Sequence, residues 1–152
     1  ALYKSLKFDF YGNMDHKAVS YLKQSQCTAI TFHGNLTQKQ VFDEINDATF
    51  CMLFSAPDHS STFNTKFYEY LYFKKPIIYF GNRGETSDFI VNSKVGLLFE
   101  PGNLNDTFYQ FLISDQLKKS NYNNSLDIND FEISNSAKKL IKALDEQFTF
   151  KI

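Results

Sequence analysis

The chain has 152 residues, enough for one domain of ordinary size. Its 43% hydrophobic and 22% charged residues exclude disorder as the main state, since disordered chains lack the apolar content to offset ordering entropy. Sixteen Lys+Arg against 17 Asp+Glu leave a formal charge of -1, which argues against a nucleic-acid partner. Seventeen Phe and nine Tyr, with no Trp, predict a ring-rich core. No apolar run approaches the roughly 18–20 residues that cross a bilayer. The opening Ala1-Leu2-Tyr3-Lys4-Ser5-Leu6-Lys7 lacks a signal-peptide apolar segment and an initiator Met, and reads as the start of an excised or processed, soluble piece. Cys27 and Cys51 have no CxxC spacing and read as two buried thiols of a cytosolic protein. His16, His33 and His59 lie far apart, which leaves no zinc signature.

In chain order, Leu6–Tyr11 alternates apolar and polar before Gly12-Asn13 and predicts a strand with its turn. Asp15–Gln26 puts Ala18, Val19 and Leu22 on one helical face. Thr28–His33 is a second strand, closed by Gly34-Asn35. Thr37-Gln38-Lys39-Gln40 is a capping box that opens a helix with Val41, Phe42 and Ile45 inward. Thr49–Phe54 is apolar almost throughout and predicts a central strand covered on both faces. After the polar loop Ser55–Asn64, Thr65–Lys74 predicts a helix with Phe67, Tyr70 and Leu71 buried. Pro76–Gly81 is a fourth strand, Gly84–Asn92 a short helix, Val95–Phe99 a fifth strand, and Leu104–Ser114 a helix with Leu104, Phe108, Phe111 and Leu112 inward. Asp115–Asn124 reads as a connector within a single domain spanning 1–152. A last helix over 129–145, with Ile133, Ala137, Leu140, Ile141 and Leu144 as its stripe, is expected to pack on that domain.

Strands alternating with helices predict an α/β fold, a Rossmann-like, mostly parallel sheet with right-handed crossovers. Ligands on such sheets bind beyond the carboxyl ends of the strands. That edge gathers Gly12-Asn13, His33-Gly34-Asn35, the loop 55–64 and Gly81–Glu85. Ser60, Ser61, Thr62 and Asn64 precede a helix whose amino end favours an anion, with Lys66 close behind. The plainer reading is a solvated loop with Asn64 as helix cap. Glu69, one turn on, is either a carboxylate for a ribose diol or the partner of Lys66 in an i,i+3 surface pair.

Several segments resemble, in order, the C-terminal nucleotide-sugar-binding half of GT-B glycosyltransferases of the family-4 type. The resemblance covers roughly Leu6 to Leu144. Thr31-Phe32-His33-Gly34-Asn35-Leu36 is similar to the family's "V-x-F-x-G" strand and helix start. Ala48–Ser55 resembles "A-D-V-x-L-x-P-S", and Lys66-Phe67-Tyr68-Glu69-Tyr70-Leu71 with Lys75-Pro76-Ile77-Ile78 resembles "K-x-x-E-Y-L…K-P-I-I", the most specific match. Gly84–Ile90 resembles "G-G-x-x-E-x-I", with Asp88 at the acidic position, and Val95–Asn103 resembles "x-G-x-L-x-x-P-G-D".

The resemblance implies a donor-binding domain that serves transfer of a sugar from a UDP- or GDP-type nucleotide sugar to a glycan or lipid-linked acceptor, in polysaccharide biosynthesis. It implies retention of configuration and no metal or other cofactor. Glu69 would hold the donor ribose. Ser60, Ser61, Thr62, Phe63 and Asn64 would meet the diphosphate, with Lys66 as a phosphate or sugar contact. Gly12, Asn13, His33, Gly34 and Asn35 would border the nucleobase. No catalytic residue is assigned. Ser61 stands where the family's E-x7-E pair has its first acid, which motivates a rival reading: a non-catalytic sugar-nucleotide-binding or scaffold domain. The family's acceptor-binding N-terminal half lies outside this sequence, so the chain alone is expected not to turn over. The full-length enzyme would be cytoplasmic, peripheral to the inner face of the membrane. The family also has an earlier strand, placed between the first and third strands seen here; either those two pair directly, or another segment, such as the alternating tail Gln147–Ile152 of this chain or of a second one, fills the slot. A phosphoryl receiver lacks its acidic cluster here, and a dehydrogenase lacks G-x-G-x-x-G.

Overall fold

A computed structural model describes residues 6–25, 27–56 and 63–114, then Tyr122, Leu126, 128–131, Asn135, Lys138 and 141–142. The chain divides into two compact units, Ala1–Tyr122 and Asn123–Ile152, with the boundary inside the stretch read as a connector. The first unit contains β1 (Phe8–Phe10), α1 (His16–Ser25), β2 (Ile30–Phe32), α2 (Gln38–Asp47), β3 (Cys51–Phe54), α3 (Thr65–Tyr72), β4 (Ile77–Phe80), α4 (Glu85–Asn92), β5 (Gly96–Phe99) and α5 (Leu104–Ile113). The expected α/β alternation is therefore present. In the second unit a 3-10 turn spans Ile128–Phe131. There Asn135, Lys138, Ile141 and Lys142 are helical, and Ile141 of the expected inward stripe is 59% exposed. Ile133, Ala137, Leu140 and Leu144 lie outside the described residues. No helix among the described residues is long and apolar enough to cross a membrane.

The strands form two parallel sheets, β1-β2 and β3-β4-β5, rather than one. Phe8 pairs with Ile30 in the first, and Cys51, Ile77 and Gly96 align in the second. In a parallel ladder alternate residues bond to alternate sides. Cys51 N–H donates to Pro76 O and Ser55 N–H to Phe80 O, so Met52 and Phe54 turn their backbone groups to the far edge of β3. Phe8 N–H donates to Ala29 O, which leaves Asp9 facing the far edge of β1. Among the described residues no strand pairs with either of those edges.

Every strand ends in Phe, and the rings run as one row across both sheets. Their centroids step from Phe32 to Phe10 (5.5 Å), Phe54 (6.4 Å), Phe80 (4.9 Å) and Phe99 (5.8 Å). The longest step joins β1 to β3, which no backbone bond connects. Phe54, mid-row, is 57% exposed. That corrects the expectation of a central strand covered on both faces: β3 is apolar on both faces but borders an open edge.

On one face Ile78, Phe99 and Phe111 form a core with Phe50, Met52, Phe80 and Phe108 around it. On the other, Leu53, Ile77 and Tyr79 are buried with Phe67 and Leu71 of α3 and Ile90 of α4. Gly96 is required where β5 meets β4, because a Cβ there would sit 2.0 Å from Ile77 O. The capping box at Thr37 and Gln40 forms as the sequence predicts, and Ile45 is buried. α3 stops at Tyr72 rather than Lys74, because Lys74 adopts a left-handed φ of 54° and closes the helix end. Ala18 is exposed, against the inward face predicted for α1. Cys27 is exposed too, just ahead of β2, while Cys51 is buried as expected; neither forms a disulfide.

Candidate functional site

Two clusters lie at the carboxyl ends of the strands. The first is built on β1 and β2. Gly12 adopts a φ of 108°, open to glycine alone at no cost, and its N–H donates to Gly34 O at 3.2 Å. His33 N–H donates to Phe10 O, which carries the β1-β2 ladder into the two turns. Asn35 Nδ2 then donates to Asn13 Oδ1 at 3.0 Å. The structure thus brings Gly12, Asn13, His33, Gly34 and Asn35 together.

Sequence reasoning missed three neighbours of this group. Asp9 Oδ1 lies 2.8 Å from His33 Nε2, and the Tyr11 ring stacks on His33 with centroids 4.6 Å apart. The Tyr11 hydroxyl donates to Glu44 Oε2 at 2.6 Å, tying β1 to α2. That hydrogen bond, with some burial and the charges of Glu44 and Asp9, pushes the phenol up to about 12, so it remains a donor. The signal was available: Asp9 and Tyr11 share one face of a strand by their spacing of two.

The second cluster surrounds the amino end of α3. A pocket of about 320 Å³ is lined by Met52, Leu53 and Phe54 of β3 and by Asn64, Thr65 and Lys66. It therefore opens on β3, whose far edge is unpaired. Asn64 Oδ1 accepts from Phe67 N–H at 3.0 Å, so the capping alternative holds for its side chain. Phe63 is packed against Phe67 at 4.8 Å and Phe89 at 6.0 Å, which anchors the loop's last turn. Ser60, Ser61 and Thr62 lie outside the described residues.

Glu69 is half-buried, one turn into α3; its backbone carbonyl accepts from Phe73 N–H, while its carboxylate makes no hydrogen bond or ion pair among the described residues. The surface pair with Lys66 is therefore absent, whereas His33 pairs with Asp9 and Arg83 with Asp88. Its neighbour Tyr70 donates to Met52 O at 3.4 Å, meeting a carbonyl on the open edge of β3. Burial, and then the charges of Cys51 and Glu69, push the Tyr70 hydroxyl up to about 12. The Lys66–Tyr70 side of α3 thus borders the same edge as the pocket. An ammonium, a helix amino end and an unengaged carboxylate there suit a ligand that carries both an anion and hydroxyls. Among the described residues no group of three or more His, Cys, Asp or Glu is placed to hold a metal. No family model, curated protein or solved structure matches this chain.

Proposed function

We propose that this chain is the nucleotide-sugar-binding domain of a GT-B-type glycosyltransferase, with a UDP- or GDP-linked sugar as donor. The observation that carries the reading is the pocket at the open edge of β3, with Lys66 at its rim and the unengaged Glu69 one turn beyond. In this reading the diphosphate lies at the amino end of α3. There the backbone N–H groups not taken by the Asn64 cap, together with the Lys66 ammonium, stabilise the charge that develops on the leaving group. Glu69 accepts both hydrogens of the ribose diol. The nucleobase borders Gly12, Asn13, His33, Gly34 and Asn35, across the space between β1 and β3.

Transfer to a glycan or lipid-linked acceptor needs an acceptor-binding half supplied elsewhere in the enzyme. The proposed setting is the cytoplasmic face of a membrane. Ser61, in place of an acid, favours a second reading in which the domain binds nucleotide sugar without catalysis. Restoring an acceptor-binding half and finding no transfer from any donor decides for that second reading.

A thermal-shift series with UDP, GDP, ADP and CMP and their sugars finds the base, and calorimetry then measures affinity. Glu69→Ala should weaken binding at least tenfold, about 1.4 kcal/mol. Unchanged affinity in that variant refutes the ribose contact.

A further inference from the structure

The β1-β2 tip, on the base side of the proposed site, is open to solvent and rich in polar groups. The side chains of His33 and Asp9 are 38% and 40% exposed, and Asn13, Asn35 and Glu44 are exposed as well. The tip also adjoins the pocket at the start of α3. Phe10, one residue before Tyr11, has its ring 6.4 Å from that of Phe54, and Phe54 lines the pocket.

The contacts within the tip decide what it offers outward. A carboxylate only accepts, so in the 2.8 Å contact between His33 Nε2 and Asp9 Oδ1 the hydrogen sits on Nε2. In the neutral ring that makes Nδ1 an acceptor, and the Tyr11 ring stacked at 4.6 Å holds its plane before any ligand arrives. Asn35 Nδ2 donates to Asn13 Oδ1, so this amide pair offers Asn35 Oδ1 as an acceptor and Asn13 Nδ2 as a donor. The Tyr11 hydroxyl is spent on Glu44 Oε2, which leaves Glu44 Oε1 and Asp9 Oδ2 as further acceptors. Acceptors therefore outnumber donors among these side chains. A base is read through hydrogen bonds along its pairing edge, where guanine brings two donors (N1–H and the N2 amine) and one acceptor, O6. Uracil and cytosine each bring two acceptors and one donor there. A site rich in acceptors leaves one of their oxygens unpaired, and that loss discriminates strongly.

We infer that the β1-β2 tip reads guanine, so that the donor is a GDP-linked sugar. His33 Nδ1 and Asn35 Oδ1 accept from N1–H and the N2 amine, and Asn13 Nδ2 donates to O6. This rests on the function proposed above and names its base. The test is calorimetry on the full chain at pH 8 with GDP, UDP and inosine diphosphate, which is GDP without the N2 amine. GDP should bind at least tenfold tighter than UDP, with inosine diphosphate between them. His33→Phe keeps a ring on Tyr11 but removes both nitrogens, and Asn35→Ala removes the amide; each should lower the GDP:UDP affinity ratio at least fivefold. The ratio is taken within one variant, so a general loss of stability does not move it. UDP or inosine diphosphate bound as tightly as GDP, or an unchanged ratio in either variant, overturns the guanine reading while leaving the nucleotide site standing. If wild type binds none of the three diphosphates, both proposals fall together.

Discussion

The β1-β2 and β3-β4-β5 sheets share direction and a common row of rings, but they are built differently. In the three-stranded sheet Cys51, Leu53, Ile77, Ile78, Tyr79 and Phe99 are all buried, whereas no residue of β1 or β2 is. The two-stranded sheet instead carries polar contacts at its tip: Asp9 with His33, Tyr11 with Glu44, Asn35 with Asn13. Hydrophobic burial scales with apolar area removed from water, while exposed pairs contribute little. The larger sheet therefore holds the stability, and the smaller one displays chemistry along its edge. A ligand that spans the space between β1 and β3 would also stabilise the weaker partner by mass action.

Matched ring deletions give the largest expected contrast. Phe67 is fully buried between α3, α4 and the sheet, so Phe67→Ala should cost about 3–5 kcal/mol. Phe10 is half-buried, with Phe32 at 5.5 Å and Phe54 at 6.4 Å as its ring neighbours. Phe10→Ala should cost about half as much or less by the same scale. Denaturant melts of the two variants decide it. Equal losses would mean that both sheets belong to one cooperative core.

Much of this fold was legible in the sequence, for physical reasons. The capping box at Thr37 and Gln40 is a local hydrogen-bond pattern, so it formed as written. The apolar run before Ser55 marked β3 as a strand, because a short run apolar on both faces between turn residues suits a strand of the core. Its open edge could not be read that way: pairing is a long-range property, and Phe54 looks the same whether or not a neighbour covers it. Ala18 and Cys27 misled for a related reason. A short helix and its flanking turn beside a two-stranded sheet have little to pack against, so apolar residues there stay in water. At the site, the turns around Gly12 and Gly34 were visible as glycine punctuation. The shared face of Asp9 and Tyr11 could be read from their spacing of two, but their partners His33 and Glu44 could not, because those lie far away in sequence and meet them only through the β1-β2 register and the docking of α2.

Alkaline pH should separate the sheets next. Burial pushes the Cys51 thiol from 9.0 up to about 11, with Lys75 pulling weakly the other way. Below pH 9 the folded and unfolded thiols are both protonated, and the raised value costs nothing. Between pH 9 and 11 the unfolded thiol loses its proton while the folded one keeps it, so stability falls across that window. At about 1.4 kcal/mol per pH unit the loss is of order 2 kcal/mol. Tyr11 is raised as well, mainly by the exposed Glu44 contact, which salt screens. The expected result is a fall in the guanidinium midpoint between pH 9 and 10 that Cys51→Ala flattens and added salt does not; above pH 10 the Tyr70 hydroxyl, pushed up to about 12 by burial, adds a fall of its own. A slope removed by salt instead would assign the alkaline weakness to the smaller sheet.

The smallest effect concerns how tightly the larger sheet holds its own helix ends. After α4 the chain turns through Lys94 at a φ of 57°, with Lys94 N–H on Val91 O and Val95 N–H on Ile90 O. This closure normally falls to glycine, because a Cβ is crowded in the left-handed region. The strain is tolerated because Ile90 and Val95, on either side, are buried and fix the path into β5. Lys94→Gly relieves the crowding but gives the unfolded chain more freedom, and the two effects oppose each other. The net gain should be about 0.5 kcal/mol, a rise in Tm of about 1–2 °C in a chain of this length. A loss of stability would mean that the lysine stem, rather than the turn geometry, contributes at this helix end. The burial of Ile90 and Val95 would then be insufficient to set the turn by itself.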